Sequence, residues 1–428
     1  MPFASYWKTP GDPLPGRDLA RLYLRWMLVR TALARGWWLV TSLYLVVVAD
    51  LTPFQLVFVG TAQGLLAVLS EIPAGVVADA VSRKWSVVAA HLLSGTGMLV
   101  TGLVTDFPAL VATQILWGLG WTFSSGADVA WLTDELDDER RISRLLTAGA
   151  RWGQAGGFAG IVGFGVLAWA VGLSAAIVAG GGAMLLLGLV VAATFPERNF
   201  VRVPGNRNRI RATAGIFRRG VGLARHDREI LVVLGATVLI HGVAESGRLY
   251  PKHLVDLGFP GSADPIAWLT ALSLATLAMG ALALRVVEGY IDGTGVARRV
   301  YALACVIGVA GLVILRQAPN STTAMAGIVL VSGITISVTR SVGVIWVNRR
   351  VTTDVRATVQ SFLAQAEYSG EIVIGFALAL VASGSGIVAA IIVSAAILAA
   401  AAMLVYRAAG SAPPKVEGAA TTGVNREQ

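Results

Sequence analysis

Charge is scarce in this chain. Asp, Glu, Lys and Arg make up 14% of its 428 residues, against about 25% in an average soluble domain. That is too little charge to cover a water-facing surface of this size, so a soluble globular enzyme is excluded. With 55% of residues in the set AVILMFWYC, so is a disordered chain. Cysteine is nearly absent: Cys305 is the only one, so no disulfide forms within the chain. The four histidines, His91, His226, His241 and His253, show no metal-ligand spacing, and no metal is expected. No G-x-x-x-x-G-K-[ST] loop is present, so ATP-driven transport by this chain alone is not expected. No serine nucleophile elbow occurs either. No cofactor is implied. A cleavable signal peptide is not expected, because the first apolar run starts near Leu33, behind a long basic segment.

What is present is length of apolar run. Mean hydropathy is +0.70. A spanning helix needs about 20 mainly apolar residues. Twelve such runs can be read, at 35–52, 54–78, 85–105, 107–132, 145–170, 174–195, 230–250, 265–287, 300–317, 321–347, 358–382 and 386–406. They do not alternate as membrane β-strands do, which excludes a β-barrel. An all-α membrane protein of twelve transmembrane helices follows. Ahead of the first run, Leu19, Leu22, Tyr23, Trp26 and Leu33 recur near helical spacing, with Arg17, Arg21 and Arg25 between them. This pattern predicts an interfacial helix.

The bases are sorted. Of 34 Lys and Arg, 28 lie in the N-terminal segment, the C-terminal segment and alternate loops, and only Lys252 and Arg316 lie in the opposite loops. The positive-inside rule then puts both termini in the cytoplasm. A bacterial inner (plasma) membrane is the expected location. The formal net charge of +9 is therefore orientation and contact with the lipid bilayer, and no nucleic-acid partner is expected. The expected organisation is a cytoplasmic segment 1–34, a six-helix bundle 35–195, a basic linker 196–229, a second six-helix bundle 230–406 and a disordered tail 407–428.

The two bundles repeat each other weakly. Ala127 to Trp131 and Val342 to Trp346 end the fourth and tenth runs at an offset of 215. Arg140 stands eleven residues before Arg151, as Arg356 stands eleven before Glu367. Asp79 and Asp292 follow the second and eighth runs. Two parallel repeats of this kind are a transporter architecture, with substrate bound between them near the midplane.

The stretch Gly75-Val-Val-Ala-Asp79-Ala-Val-Ser82-Arg83-Lys84 resembles the G-x-x-x-D-x-x-G-R-[RK] signature of the major facilitator superfamily, with Ser82 in place of the usual glycine. A degenerate second copy runs from Glu288 through Asp292 to Arg298 and Arg299. The resemblance implies two pseudo-symmetric six-helix bundles. It also implies a conformational latch of Gly75, Asp79, Arg83, Lys84 and Asp292, with Asp79 facing the start of span eleven. Read physically, Gly75 permits close helix approach. Arg83 and Lys84 sit near headgroups. The family's arginine in span four is replaced, since Gln114 precedes Leu116-Trp117-Gly118.

Ionisable groups inside spans are functional candidates by default. His241, Glu245 and Arg248 share one face of span seven at spacings of four and three. Glu367 and Glu371 lie one turn apart in span eleven. Glu71 lies in span two. These four acids and one imidazole (Glu245, His241, Glu71, Glu367, Glu371) are the proton-coupling candidates, Glu245 foremost; a structural His–Glu–Arg chain is the alternative. Arg151 matches Glu367 and invites a cross-half ion pair. Asp128 is a candidate inner-gate partner for Arg83. Arg340, among Thr335, Ser337, Thr339 and Ser341, is placed to hold a substrate anion or a nearby carboxylate. Trp117, Trp121, Ser124 and Asp128 share much of one face of span four, as packing or as a platform for a flat or cationic ligand. With Arg248, Arg340 and Arg151 they are the substrate-binding candidates. Span five, with Gly153, Gly156, Gly157, Gly160, Gly163 and Gly165, is similar to an exporter motif without its proline, and close packing explains it equally well. The favoured expectation is a monomeric, proton-coupled exporter of a small organic molecule. Uptake of an organic anion with protons and a non-transporting sensor are the alternatives.

Overall fold

The computed structural model describes residues 14–408 apart from 137, 202–221, 223–224, 226, 262–263, 291–293 and 352. Asp292, nearly all of the linker's 202–226 portion and the 409–428 tail therefore lie outside the described residues.

The chain is a set of twelve spans. The first is one unbroken helix, Leu14–Val47. The expected interfacial segment and first span are continuous, because no glycine or proline interrupts Arg17 to Arg35. Spans two and three are Pro53–Ala80 and Arg83–Thr101. Span four is Phe107–Ser124, continued as Ala127–Leu136 beyond a break where Gly126 has φ 79°. Spans five and six are Glu139–Val171 and Leu173–Thr194. Span seven is Arg228–Ala244, then a 3-10 turn Glu245–Leu249, then Tyr250–Leu257. Spans eight and nine are Pro265–Glu288 and Thr294–Gln317. Span ten is Ser321–Ile328, a π-helical stretch Val329–Thr335, and Ile336–Asn348. Spans eleven and twelve share Thr353–Arg407, divided at Gly386. Eight of these helices meet a strict length and hydropathy test for crossing a membrane, the last of them long enough to cross twice.

Short capped turns separate the spans. Thr52 forms a capping box with Gln55 ahead of Pro53. Asp106, Asp138, Asp227, Asp264 and Asn320 each accept backbone N–H groups at a helix start, which satisfies donors that the first helical turn leaves free. The halves share a packing plan. Span one lies along five as seven lies along eleven, and three packs on six as nine packs on twelve. Across the seam, two meets eleven and five meets eight. The one–five and seven–eleven pairs are close: a Cβ at Gly160 would run into the Ala32 carbonyl, and one at Gly370 into that of Val238. Small residues permit this approach where lipid gives no hydrophobic drive for association.

Both distortions fall in the second half. Pro251 has no N–H to give the Gly247 carbonyl, and the Tyr250 N–H takes it at the shorter spacing. In span ten the Thr335 hydroxyl donates to the carbonyls of Ala304, at 2.8 Å, and Leu330, at 3.2 Å, which supports the widened turn.

Because both termini emerge at the same end of an even number of spans, we call that end the terminal side and the other the far side. On the far side, Gly172 ends span five at φ 89° and Gly386 ends span eleven at φ 85°, the same turn in each half. A Cβ at Gly386 meets nothing within 4 Å, so alanine there costs backbone strain alone. Gly386→Ala should destabilise the protein by about 1–2 kcal/mol, read as a lower melting temperature in detergent. Gly384→Ala, which lacks the positive φ, should be near neutral by the same measurement.

Candidate functional site

Between the halves lies a cavity of about 510 Å³, walled by spans one, five, seven, eight and ten. Its volume is in the range of small-molecule sites. Arg35, Gln154, Glu245, Arg248, Ser273 and Ser337 supply polar atoms, and Leu39, Leu45, Leu254 and Leu269 supply apolar wall.

The halves are fastened toward the far side. Arg248 donates through Nε to Glu245 at 2.7 Å and through Nη2 to Gln63 of the other half at 3.3 Å. Its guanidinium lies 5.0 Å from the Trp38 ring centre. Gly60 of span two gives this pair room, since a Cβ there would strike Glu245 and Arg248. Farther out, Phe54 and Phe376 meet edge to face at 6.2 Å. On the terminal side, ion pairs among the described residues stay within a half. Arg30 pairs with Asp128 at 3.0 Å, Arg83 with Asp134 at 2.5 Å, and Arg350 with Asp227 and Glu229 at 2.8 and 2.9 Å. Trp121 is 49% exposed and the Arg340 side chain 62% exposed, although both sit deep in spans. The seam between the halves is thus fastened on the far side and more open toward the terminal side.

Two networks run beside the cavity, meeting its wall at Trp38 and Arg248. The first is aromatic and cationic. From Arg248 it runs through Trp38 to Trp117 at 5.7 Å, then Trp121 at 6.5 Å, then Arg30 at 5.4 Å. Arg30 continues over Trp26 at 4.9 Å, and Trp26 donates to His91 at 3.0 Å. Trp37 stacks on Trp117 at 5.7 Å. The second network is titratable. His241 stands between two carboxylates of span eleven, with Nε2 3.6 Å from Glu367 and Nδ1 3.7 Å from Glu371. Arg340 donates to the other oxygen of Glu367 at 3.0 Å.

Several expected pairings change. His241 serves Glu367 and Glu371 of span eleven; Glu245 serves Arg248, because the 3-10 turn that begins at Glu245 advances each residue by about 120° and so brings positions three apart onto one line. Asp128 takes Arg30, and Arg83 takes Asp134 and the Ala130 carbonyl, at 2.9 Å. The break at Gly126 re-aims the end of span four and sets these partners. Arg151 is exposed and forms no cross-half ion pair among the described residues; Glu367 has Arg340 instead. Gly75 meets nothing within 4 Å of an added Cβ, so it mediates no close approach in this conformation. Asp79 is exposed, and its ion partner among the described residues is Arg83 at 3.6 Å. Lys84 gives its backbone N–H to Glu197 at 3.0 Å, and Ser82 gives its hydroxyl to the same carboxylate. Ser82 also caps span three by accepting from Trp85 at 2.9 Å, a use for serine at that position. Glu71 accepts from Gln365 across the seam at 3.0 Å. Ser124 is buried beside Trp117 and Trp121, and its hydroxyl has no partner among the described residues. Gln114 is fully buried and donates to Thr101 at 3.2 Å.

Sequence reasoning missed Arg30 and Arg35, which were counted with cytoplasmic bases. The signal was the uninterrupted helical pattern from Leu19 onward. It also missed Gln63, Asp134 and the buried Asp227, Glu229 and Arg350 cluster, which Trp346 joins by donating to Glu229 at 2.8 Å.

Twelve spans in two pseudo-symmetric halves around a central cavity define a membrane transporter rather than an enzyme. The chain belongs to the Major Facilitator Superfamily, whose family model matches residues 27–373. No curated protein matches the sequence. Among solved structures, a variant of the nucleoside transporter NupG is similar at TM-score 0.76 and 16% identity, covering 90% of this chain and 99% of that one. A bacterial homolog to the human lysosomal transporter Spinster, in an inward-facing and unoccupied conformation, is similar at TM-score 0.70 and 14% identity, over 92% and 97% of the two chains. A D-xylose-proton symporter is similar at TM-score 0.67 and 14% identity, over 91% and 96%. At these identities the likeness is one of fold.

Arg248 is the test of the far-side fastening. Arg248→Ala leaves Glu245 buried without its partner and should cost about 3–5 kcal/mol, measured by thermal unfolding in detergent. The double variant Arg248→Gln with Glu245→Gln should recover most of that loss. Equal loss in both would contradict the pairing.

Proposed function

We propose that the chain is a proton-coupled secondary transporter that carries a small organic molecule by alternating access. It works as a monomer in the bacterial plasma membrane with the terminal side in the cytoplasm. The distribution of 28 bases against two supports that orientation. The observation that carries the coupling is His241 held between Glu367 and Glu371. An imidazole has one nitrogen to accept a proton and another to donate one, and two carboxylates at its two nitrogens give a proton a place to arrive and a place to leave. Protonating this cluster weakens the Arg340–Glu367 pair and frees a cation at the cavity. Glu245, expected from sequence to be the carrier, is held by Arg248 and serves the far-side closure.

The charges support uptake over efflux of a cationic drug. Glu245 faces Arg248, Glu367 faces Arg340 and His241, Glu371 faces His241, and Asp128 faces Arg30. None of these carboxylates waits for a cationic drug. The glycines that suggested an exporter are accounted for by packing: a Cβ at Gly156 would strike the Leu28 carbonyl, as one at Gly160 would strike that of Ala32. We therefore favour solute and proton moving together over the drug efflux suggested by sequence. In this conformation the ion partner of Asp79 among the described residues is Arg83 of its own half and not a group of span eleven, which supports a released latch that re-forms when the terminal side closes.

The test uses proteoliposomes with an imposed pH gradient and a compound panel. Solute should move in the direction of proton flow. Glu371→Gln should lower pH-driven accumulation by about tenfold or more and leave solute exchange without a gradient intact. Glu245→Gln should lower stability and keep the coupling. Movement against the proton flow would establish efflux, and full pH drive in Glu371→Gln would remove the cluster from the coupling.

A further inference from the structure

We infer that the solute is an organic anion, a carboxylate or phosphate ester with an apolar body, anchored by Arg35. This rests on the reading of the central cavity as the solute site. The argument starts from the helix that carries Arg35. Span one has two arginines inside the apolar region. Arg30 is compensated by Asp128 at 3.0 Å and by the faces of Trp26 and Trp121. Arg35 lines the cavity and has no ion pair or hydrogen bond among the described residues. Elsewhere at the cavity, guanidinium is matched by carboxylate: Arg248 by Glu245, Arg340 by Glu367. Arg35, lining the cavity itself, departs from that pattern.

Its neighbourhood adds positive charge. The charge of Arg340, across the seam, acts on Arg35 unfavourably. Arg151 lies one turn toward the terminal side from the cavity-lining Gln154, exposed and without an ion pair among the described residues. A cation in a membrane-embedded wall is costly unless a counter-charge or water meets it. A guanidinium presents paired N–H donors that fit a carboxylate or phosphate in bidentate fashion. Toward the far side from Arg35 the wall turns apolar through Leu39, Leu45, Leu254 and Leu269. The Arg35 end of the wall thus carries an unmatched cation, and farther in the leucines give apolar surface beside the mutually neutralised Glu245–Arg248 pair. An anion with a hydrophobic body matches that gradient, with its head at Arg35 and its body inward. A cationic amphiphile would meet the opposite charge order. A polyol would leave the leucine wall unused.

The experiment titrates the purified full chain in detergent, followed by tryptophan fluorescence and melting temperature. The probes are 4-butylbenzoate, phenyl phosphate, the neutral 4-butylbenzamide and the cationic 4-butylbenzylammonium. One of the two anions should bind saturably and about tenfold or more tighter than the amide and the cation. The benzoate and phosphate arms tell which head the site takes. Arg35→Gln should bring acid and amide to near parity, and Arg35→Lys should keep part of the preference. The wild-type ratio of acid to amide decides the class by itself, even if Arg35→Gln fails to fold. Amide or cation binding as tightly as the acids, or no binding by either acid, overturns the inference. So does an unchanged preference in Arg35→Gln. Acid binding without pH-driven flux supports the anion and removes the proton coupling. pH-driven flux of the amide does the reverse.

Discussion

Arg248 is the interaction on which the present shape of the molecule depends. It neutralises Glu245 in its own half, reaches Gln63 in the other, and lies over Trp38. The glycine at position 60 leaves room for it. With that corner closed, the halves meet on the far side; toward the terminal side each keeps its ion pairs to itself, and Gln365 reaches Glu71 across the seam. The exposure of Trp121 and Arg340 and the pairing of Asp79 within its own half follow from which end is fastened.

The halves share a packing plan and divide the chemistry. The first half supplies the tryptophan ladder and the cations Arg30, Arg35 and Arg151. The second half supplies His241, Glu367 and Glu371. It also holds both departures from regular helix at the cavity, the 3-10 turn at Glu245–Leu249 and the π-helical stretch Val329–Thr335. Such departures concentrate at hinges and functional sites, because they re-aim side chains and leave backbone carbonyls to be satisfied locally. Thr335 does that in span ten. The first half departs from regular helix at the Gly126 break in span four, and the second carries the groups to which the proposed function assigns the proton.

Much of this was legible in the sequence. Apolar run length gave the spans, since hydrocarbon admits only helices of that length here. Basic residues gave a shared side for the termini, and the weak repeat gave two halves. Trp131 and Trp346, matched across the repeat, are both buried at 1% exposure. Partners were not legible. Arg83 chose Asp134 over Asp128 because span four breaks at Gly126, and Glu245 faces Arg248 squarely because the helix tightens there. Each depends on a local departure from ideal geometry that a helical wheel does not contain. Arg30 and Arg35 were misread for a related reason. Basic residues near a chain end look like topology signal, and only tertiary structure shows that Asp128 neutralises one and the cavity receives the other.

The same charge division bears on how coupling would be enforced. Closing the terminal side brings the cationic wall of the first half toward the carboxylates of the second. Empty, the two sets can compensate each other. Loaded with an anion and a proton together, both are neutralised, and closure again buries no net charge. Loaded with only one of the two, closure takes an unmatched charge out of water, which costs several kcal/mol even after relaxation. Under the proposed assignment of anion to Arg35 and proton to the His241 cluster, partial loading is therefore the state that cannot close. Coupling then needs no separate mechanical link between the sites. It follows from the expense of burying Arg35 or Glu367 without a counter-charge.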